Sequence, residues 1–105
     1  LQNLTQNGQL SVGPWFTAPD EWLVCGEALK RNLQRGITEA RQWGSTTFVG
    51  YLPDTFGHSA DMPTLLHQAG MDTAIVWRGV PPHLSPVFWW QSPTQPEAKV
   101  LVYHL

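Results

Sequence analysis

Phe48-Val49-Gly50-Tyr51-Leu52-Pro53-Asp54-Thr55-Phe56-Gly57-His58-Ser59 is the stretch on which the fold depends. Thr46 to Leu52 is β-branched and aromatic with few polar side chains inside it, the composition of a strand buried on both faces, as in parallel sheets. The Pro, Asp and Gly that follow end the strand. They place Asp54 and His58 at the mouth of a sheet, where ligands bind in open and closed α/β folds.

Downstream, Asp61-Met62-Pro63 opens a short helix, Thr64 to Ala69, closed by Gly70. Thr73-Ala74-Ile75-Val76-Trp77 reads as the next strand and ends at Arg78-Gly79. Strand, helix and strand with short connections argue for right-handed β-α-β crossovers. Beyond Val80-Pro81-Pro82, residues 88–91 and 99–104 read as two strands around a polar turn at 92–97, a hairpin attached to the β/α unit. Upstream, Gln9 to Gly13 is a candidate short strand. Thr17 with Asp20 resembles a capping box, and Pro19 fits a first helical turn. Trp22, Leu23, Cys25, Ala28, Leu29 and Leu33 recur at helical spacing, so a helix is expected over about 20–35, stopped by Gly36. A second helix is expected from Ile37 to Trp43.

The chain has 105 residues, room for one small domain. Its hydrophobic fraction, 42%, excludes global disorder, while its charged fraction, 13%, is about half the roughly 25% of an ordinary soluble domain. With six Trp as well, much of its surface is expected to be covered by further protein, and the chain reads as a segment of a larger domain. A net charge of −2 with scattered Lys and Arg gives no basic stripe for nucleic acid. No apolar run approaches the ~20 residues of a membrane helix. Asn3-Leu4-Thr5 fits a glycosylation acceptor, a triplet common by chance. The single Cys25 excludes an internal disulfide and is expected to be a small buried apolar group.

On spacing alone, Asp54 is as readily a turn-capping carboxylate as a functional one. Arg78 stands at the end of the neighbouring strand, so the two can meet, and a guanidinium there would hold the carboxylate ionised and oriented. His58 is expected to be a hydrogen-bonded support. Trp15, Trp77, Trp89 and Trp90 are either platforms for sugar rings or core residues. Asp20 and Glu21 are read as acids serving a helix dipole, and Glu27 with Arg31 as an ordinary helix pair.

Tyr51-Leu52-Pro53-Asp54-Thr55-Phe56-Gly57-His58-Ser59, followed by Met62-Pro63, Gly70 and Trp77-Arg78-Gly79, resembles the catalytic domain of glycoside hydrolase family 38, the α-mannosidases. Gly13-Pro14-Trp15-Phe16 with Pro19-Asp20-Glu21 resembles the bacterial branch, which includes mannosylglycerate hydrolases. The resemblance runs over about residues 8–80. It implies an irregular seven-stranded β/α barrel, with residues 1–105 as part of a single catalytic domain; residues 81–105 are read as a β-hairpin extension.

The resemblance also implies chemistry. Asp54 matches the residue that is both catalytic nucleophile and zinc ligand. Arg78 matches the arginine that contacts nucleophile and substrate, and Phe56 an aromatic lining the metal site. No catalytic role carries over to His58 or Ser59. The expected function is retaining hydrolysis of terminal α-mannosyl linkages through a covalent glycosyl-enzyme, with Zn2+ or a similar divalent cation. Trp15, Trp77 and Phe56 are the candidate substrate contacts. Mannosylglycerate or its phosphorylated form is a candidate substrate; a cytoplasmic location is expected, nucleic acid and membrane are not expected as partners, and homo-oligomerisation is left open.

The family's His-x-Asp metal motif has no match in residues 1–13, and the resemblance implies that the acid/base aspartate and last histidine ligand are to be expected downstream of Leu105. The isolated chain is therefore expected to be inactive. Two alternatives stand beside this reading: a non-catalytic carbohydrate-binding fragment with a Trp-rich surface, and a different β/α metallohydrolase resembling a deacetylase barrel.

Overall fold

The computed structural model describes residues 1–45 and 48–105. Its elements, in chain order, are α1 (Gln2–Gln6), α2 (Gly26–Gln42), β1 (Gly50–Leu52), α3 (Met62–Gln68), β2 (Thr73–Val76), β3 (Val87–Gln91) and β4 (Lys99–His104). The strands form one sheet in the order β1-β2-β4-β3. β1, β2 and β4 run parallel and β3 runs antiparallel to β4. The architecture is α/β with a four-stranded, mostly parallel sheet.

Alternation along the strands decides which face is covered. Leu52, Ala74, Val76, Val100 and Val102 are buried, and they pack with Leu29, Leu33 and Ile37 of α2 and Met62 and Leu66 of α3 into one core. On the other face Tyr51, Ile75 and Tyr103 stand in one row across three strands; Tyr51 and Tyr103 are exposed. The first strand is thus buried on one face, not on both as its composition suggested, because the sheet face that carries Tyr51 and Tyr103 is left largely uncovered by the described residues. It is also shorter than expected. Phe48 and Val49 precede it as irregular chain, and Thr46 and Thr47 lie outside the described residues.

The β-α-β reading over 50–76 matches the structure closely. Pro63 sits in the first turn of α3, and Gly70 follows the helix in the left-handed region at φ +80°, a conformation that favours glycine. The two C-terminal strands do pair as a hairpin. However, β4 lies between β2 and β3, so the hairpin is built into the sheet rather than appended to it. Its turn is tied to α3 through Asp61, whose Oδ1 accepts from Ser92 Oγ at 3.0 Å and Thr94 Oγ1 at 2.7 Å.

The N-terminal third departs most from expectation. Residues 9–13 form no strand, and α1 occupies part of the glutamine-rich segment. The two helices expected around Gly36 are one, α2, and Gly36 is buried inside it. A Cβ on Gly36 would lie 2.1 Å from the Pro14 carbonyl oxygen and 2.3 Å from the Phe16 nitrogen. The glycine is a notch for another segment, not a stop. Asn32, one turn earlier, clamps the same segment: its Oδ1 accepts from Phe16 N at 2.8 Å and Thr17 N at 3.1 Å, and its Nδ2 donates to Thr17 O at 2.9 Å. Residues 14–25 are thereby held as a non-helical strap across α2.

Because α2 starts only at Gly26, Trp22 and Leu23 are exposed strap residues and Thr17–Asp20 caps nothing. Cys25 is exposed at the N-cap position rather than buried. The buried face of α2 is Leu29, Leu33, Gly36, Ile37 and Ala40; it keeps Leu29 and Leu33 of the expected face and continues at helical spacing past Gly36.

Candidate active site at the strand ends

Leu52 is paired in register with Val76. Parallel strands of matched register carry their continuations out side by side, so the residues two places further on, Asp54 and Arg78, are brought together. Arg78 Nε donates to Asp54 Oδ1 at 2.6 Å, a short, charge-assisted contact. The guanidinium carbon also lies 4.5 Å from the Trp77 ring centre and 5.4 Å from that of Phe56, within cation–π range of both. Phe56 and Trp77 are 73% and 52% exposed. The result is an open cluster of one carboxylate, one guanidinium and two presented aromatic faces.

Beneath it lies a buried polar pair. His58 is 9% exposed in its side chain and Glu21 is fully buried. His58 Nδ1 is 2.8 Å from Glu21 Oε1, and its Nε2 is 2.9 Å from the Arg78 carbonyl oxygen. Glu21 Oε2 accepts from Ser59 N at 2.6 Å. Burial by itself would lower the pKa of His58. The hydrogen bonds to Glu21 and to the Arg78 carbonyl, with the charge of Glu21, outweigh that and leave it raised above the ordinary imidazole value.

The ring is enclosed as well as bonded. Trp90 meets it edge-on at 5.2 Å. Gly79, at φ +76°, comes so close that a Cβ would lie 3.0 Å from His58 Cδ2. Gly57 is pressed against the strap, where a Cβ would lie 2.6 Å from Trp22 Nε1. Glycines at 57 and 79 are what let the two loops and the strap close over His58.

The structure thus joins Asp54, Arg78, Phe56 and Trp77, and confirms His58 as a hydrogen-bonded support. Trp15 sits elsewhere: it is half-buried against α2 and the core, with its indole N–H unpartnered among the described residues. Glu21 is the residue that helical reasoning misplaced. It serves no helix dipole, since it lies in the strap. Its signal was present in the resemblance around Pro19-Asp20-Glu21, without a partner to give it a role. Glu27 and Arg31 do form an ordinary helix pair at 2.8 Å, which lowers the pKa of Glu27 through the hydrogen bond to Arg31 and its charge.

The described residues contain no cluster of three or more His, Cys, Asp or Glu able to hold a metal ion. Among the described residues, the side chains of ligating type at these strand ends are Asp54 and His104, the last residue of β4, whose Nε2 is already bonded to the Trp77 carbonyl at 2.9 Å; a metal there requires donors from outside these residues.

Residues 1–105 match the N-terminal domain of glycosyl hydrolases family 38 along their whole length. This chain belongs to glycosyl hydrolase family 38. The match is wider than the 8–80 span on which the motif resemblance stood. A protein of Halalkalibacterium halodurans, provisionally named a mannosylglycerate hydrolase, is 44% identical over 83 residues, covering 78% of this chain and 9% of that protein. Mouse alpha-mannosidase 2x is 32% identical over 85 residues, covering 74% of this chain and 7% of that protein. The crystal structure of an alpha-mannosidase from Enterococcus faecalis V583 superposes with a TM-score of 0.89 at 30% identity, over 99% of this chain and 12% of that one. The chain therefore spans about a tenth of the length of its family 38 relatives. No helix among the described residues is long and apolar enough to cross a membrane.

Proposed function

We propose that this family 38 chain is the nucleophile-bearing segment of a retaining α-mannosidase that cleaves terminal α-mannosyl linkages. The carrying observation is the Arg78–Asp54 contact of 2.6 Å at two adjacent strand ends. Retaining glycosidases use two carboxyl groups about 5–5.5 Å apart, one as nucleophile and one as acid/base. Asp54 is assigned the first part: one of its oxygens attacks the anomeric carbon and the aglycone leaves with a proton from the second carboxyl group. Water, giving a proton back to that second carboxyl group, then attacks the anomeric carbon and breaks its bond to Asp54, which releases the sugar. Arg78 orients the Asp54 carboxylate and leaves it exposed toward solvent, where a sugar can approach. Phe56 and Trp77 are assigned to the substrate's apolar faces. Trp15 has no share in this assignment, since it is packed on α2.

Zinc is assigned to the full-length protein, with Asp54 as one ligand and the others supplied by segments outside residues 1–105. When bound, it would supply Lewis acidity toward sugar hydroxyls. The surrounding fold is proposed to be an irregular seven-stranded β/α barrel to which β1, β2 and β4 contribute. The match to the Halalkalibacterium protein makes mannosylglycerate or its phosphorylated form the substrate to try first, and a cytoplasmic enzyme is the accompanying proposal.

The test is Asp54→Asn in the full-length protein, assayed on an aryl α-mannoside before and after chelation. Turnover should fall about 10³-fold or more, the scale expected for loss of a covalent nucleophile. The unmutated protein should lose activity on chelation and regain it with zinc. Activity of Asp54→Asn near that of the unmutated protein would remove the assignment. Mannoside binding that survives both treatments without turnover would favour a carbohydrate-binding module instead.

A further inference from the structure

We propose that Glu21 is a positioning residue of this site: through His58 it fixes the Arg78 main chain, and with it the guanidinium that holds Asp54. This rests on the reading of Asp54 as the nucleophile.

The geometry assigns the protons. The Arg78 carbonyl oxygen only accepts, so His58 Nε2 carries a hydrogen toward it. Glu21 Oε2 accepts from Ser59 N, and Oε1 faces Nδ1 of His58. With Glu21 ionised, Nδ1 donates as well, and the ring is an imidazolium clamped between a carboxylate and a main-chain carbonyl. Both oxygens of Glu21 and both nitrogens of His58 are then satisfied. A fully buried carboxylate is destabilising unless it is paired and hydrogen-bonded, so it is retained where it fixes one arrangement against others. Here it binds three separate segments: the strap at Glu21, the loop after β1 at His58 and Ser59, and the end of β2 at Arg78.

Arg78 has its side chain in solvent, 44% exposed, and Asp54 is 70% exposed. A surface ion pair of that kind is weakly held by itself. What holds Arg78 from below is the His58 bond to its carbonyl, at the residue whose side chain makes the 2.6 Å contact. The clamp stands one residue from Gly79, where the backbone is in the left-handed region. Without Glu21 and His58 the nearest remaining anchor is one residue earlier, where the Trp77 carbonyl accepts from His104 Nε2 at 2.9 Å, and the Arg78 carbonyl itself is unheld among the described residues. Glu21 touches neither Asp54 nor the aromatic faces, so its effect passes through Arg78.

A double-mutant cycle in the full-length protein tests this, with kcat/KM measured on 2,4-dinitrophenyl α-mannoside so that slow variants stay measurable. Glu21→Ala should lower kcat/KM about 10²-fold, the scale of a misplaced reacting group, with KM little changed. In the Arg78→Ala background the same substitution should lower it less than about threefold, because the residue it acts through is gone. Should Glu21→Ala fail to fold, His58→Gln replaces it: one amide cannot bridge Glu21 and the Arg78 carbonyl together, and the same loss of effect in the Arg78→Ala background is expected. Glu21→Gln can turn its amide to donate to a neutral His58 and accept from Ser59 N, so it should keep at least about a third of the activity. Additive effects of Glu21 and Arg78, or of His58 and Arg78, would overturn the proposal, as would a Glu21→Gln variant as impaired as Glu21→Ala. Asp54→Asn, run alongside, separates the two failures: an active Asp54→Asn removes the reading of the site, whereas an inactive one with an additive cycle removes only the positioning role.

Discussion

Arg78 Nε lies 2.6 Å from Asp54 Oδ1, and the two residues stand 24 positions apart in the chain, the same interval that separates the paired residues Leu52 and Val76. The contact is therefore the sheet register carried two residues beyond the strands. It does not depend on a chance encounter of two surface loops. Pairs this exposed contribute about 0–1 kcal/mol to stability, so the role proposed for the contact is orientation of the carboxylate, not stabilisation of the fold.

That separation of roles makes Arg78 informative in the full-length protein. Arg78→Lys keeps the charge but loses the planar group that faces Trp77 and Phe56 and the rigid N–H aimed at Asp54. It should lower kcat/KM on an aryl α-mannoside by about 10-fold to 10²-fold, mainly through kcat, while the melting temperature changes little. A Lys variant with at least half the original kcat/KM would show that orientation of Asp54 does not rest on this guanidinium.

The β1-α3-β2 unit and the hairpin were legible in the sequence because each is a local matter: Pro63 and Gly70 bracket α3, and β-branched or aromatic runs mark the strands. The meeting of Asp54 with Arg78 was legible for the same reason, once two strand ends were read as neighbours. What escaped depends on partners far along the chain. Gly36 has the local look of a helix stop, and only the strap at Pro14–Phe16 turns it into a notch. Glu21 has the local look of a helix N-terminal acid, and its partner His58 is 37 positions away. Cys25, a lone cysteine, has the chemistry of a small buried apolar group, and only the strap leaves it outside.

The notch gives a stability prediction. Alanine is the better helix former by about 1 kcal/mol, so Gly36→Ala would stabilise an isolated helix. Here its Cβ would lie 2.1 Å from the Pro14 oxygen, a backbone atom that cannot yield without moving the strap. The overpacking penalty, about 1–3 kcal/mol and more against backbone, should win. Lowered melting temperature, with faster hydrogen exchange in peptides spanning 14–25, is expected of the Gly36→Ala protein. A melting temperature equal to or above the original would contradict the packing described for the strap.

His58 gives a pH prediction. Its pKa in the folded protein is raised, the hydrogen bonds and charge of Glu21 and the Arg78 carbonyl outweighing burial. The stabilisation it contributes is complete below the ordinary imidazole value of about 6.5 and is lost as pH rises through the raised value. Deuterium exchange at the imidazole C2 position, followed by mass spectrometry of the full-length protein, reads this residue by itself. The midpoint should lie above about 6.5 and fall back in Glu21→Gln. A midpoint at or below that value in the unmutated protein would mean that burial dominates and the His58 ring is held in its neutral form.

The proposed role of Asp54 requires that it become covalently bonded to the sugar. The full-length protein, incubated with a fluorinated α-mannosyl fluoride that forms the glycosyl-enzyme quickly and releases it slowly, can be digested and its labelled peptide sequenced by mass spectrometry. One added fluorosugar is expected on the peptide spanning Tyr51–Ser59, located to Asp54 and absent from Asp54→Asn. A label on any other residue, or inactivation with the Asp54 peptide unmodified, would contradict it.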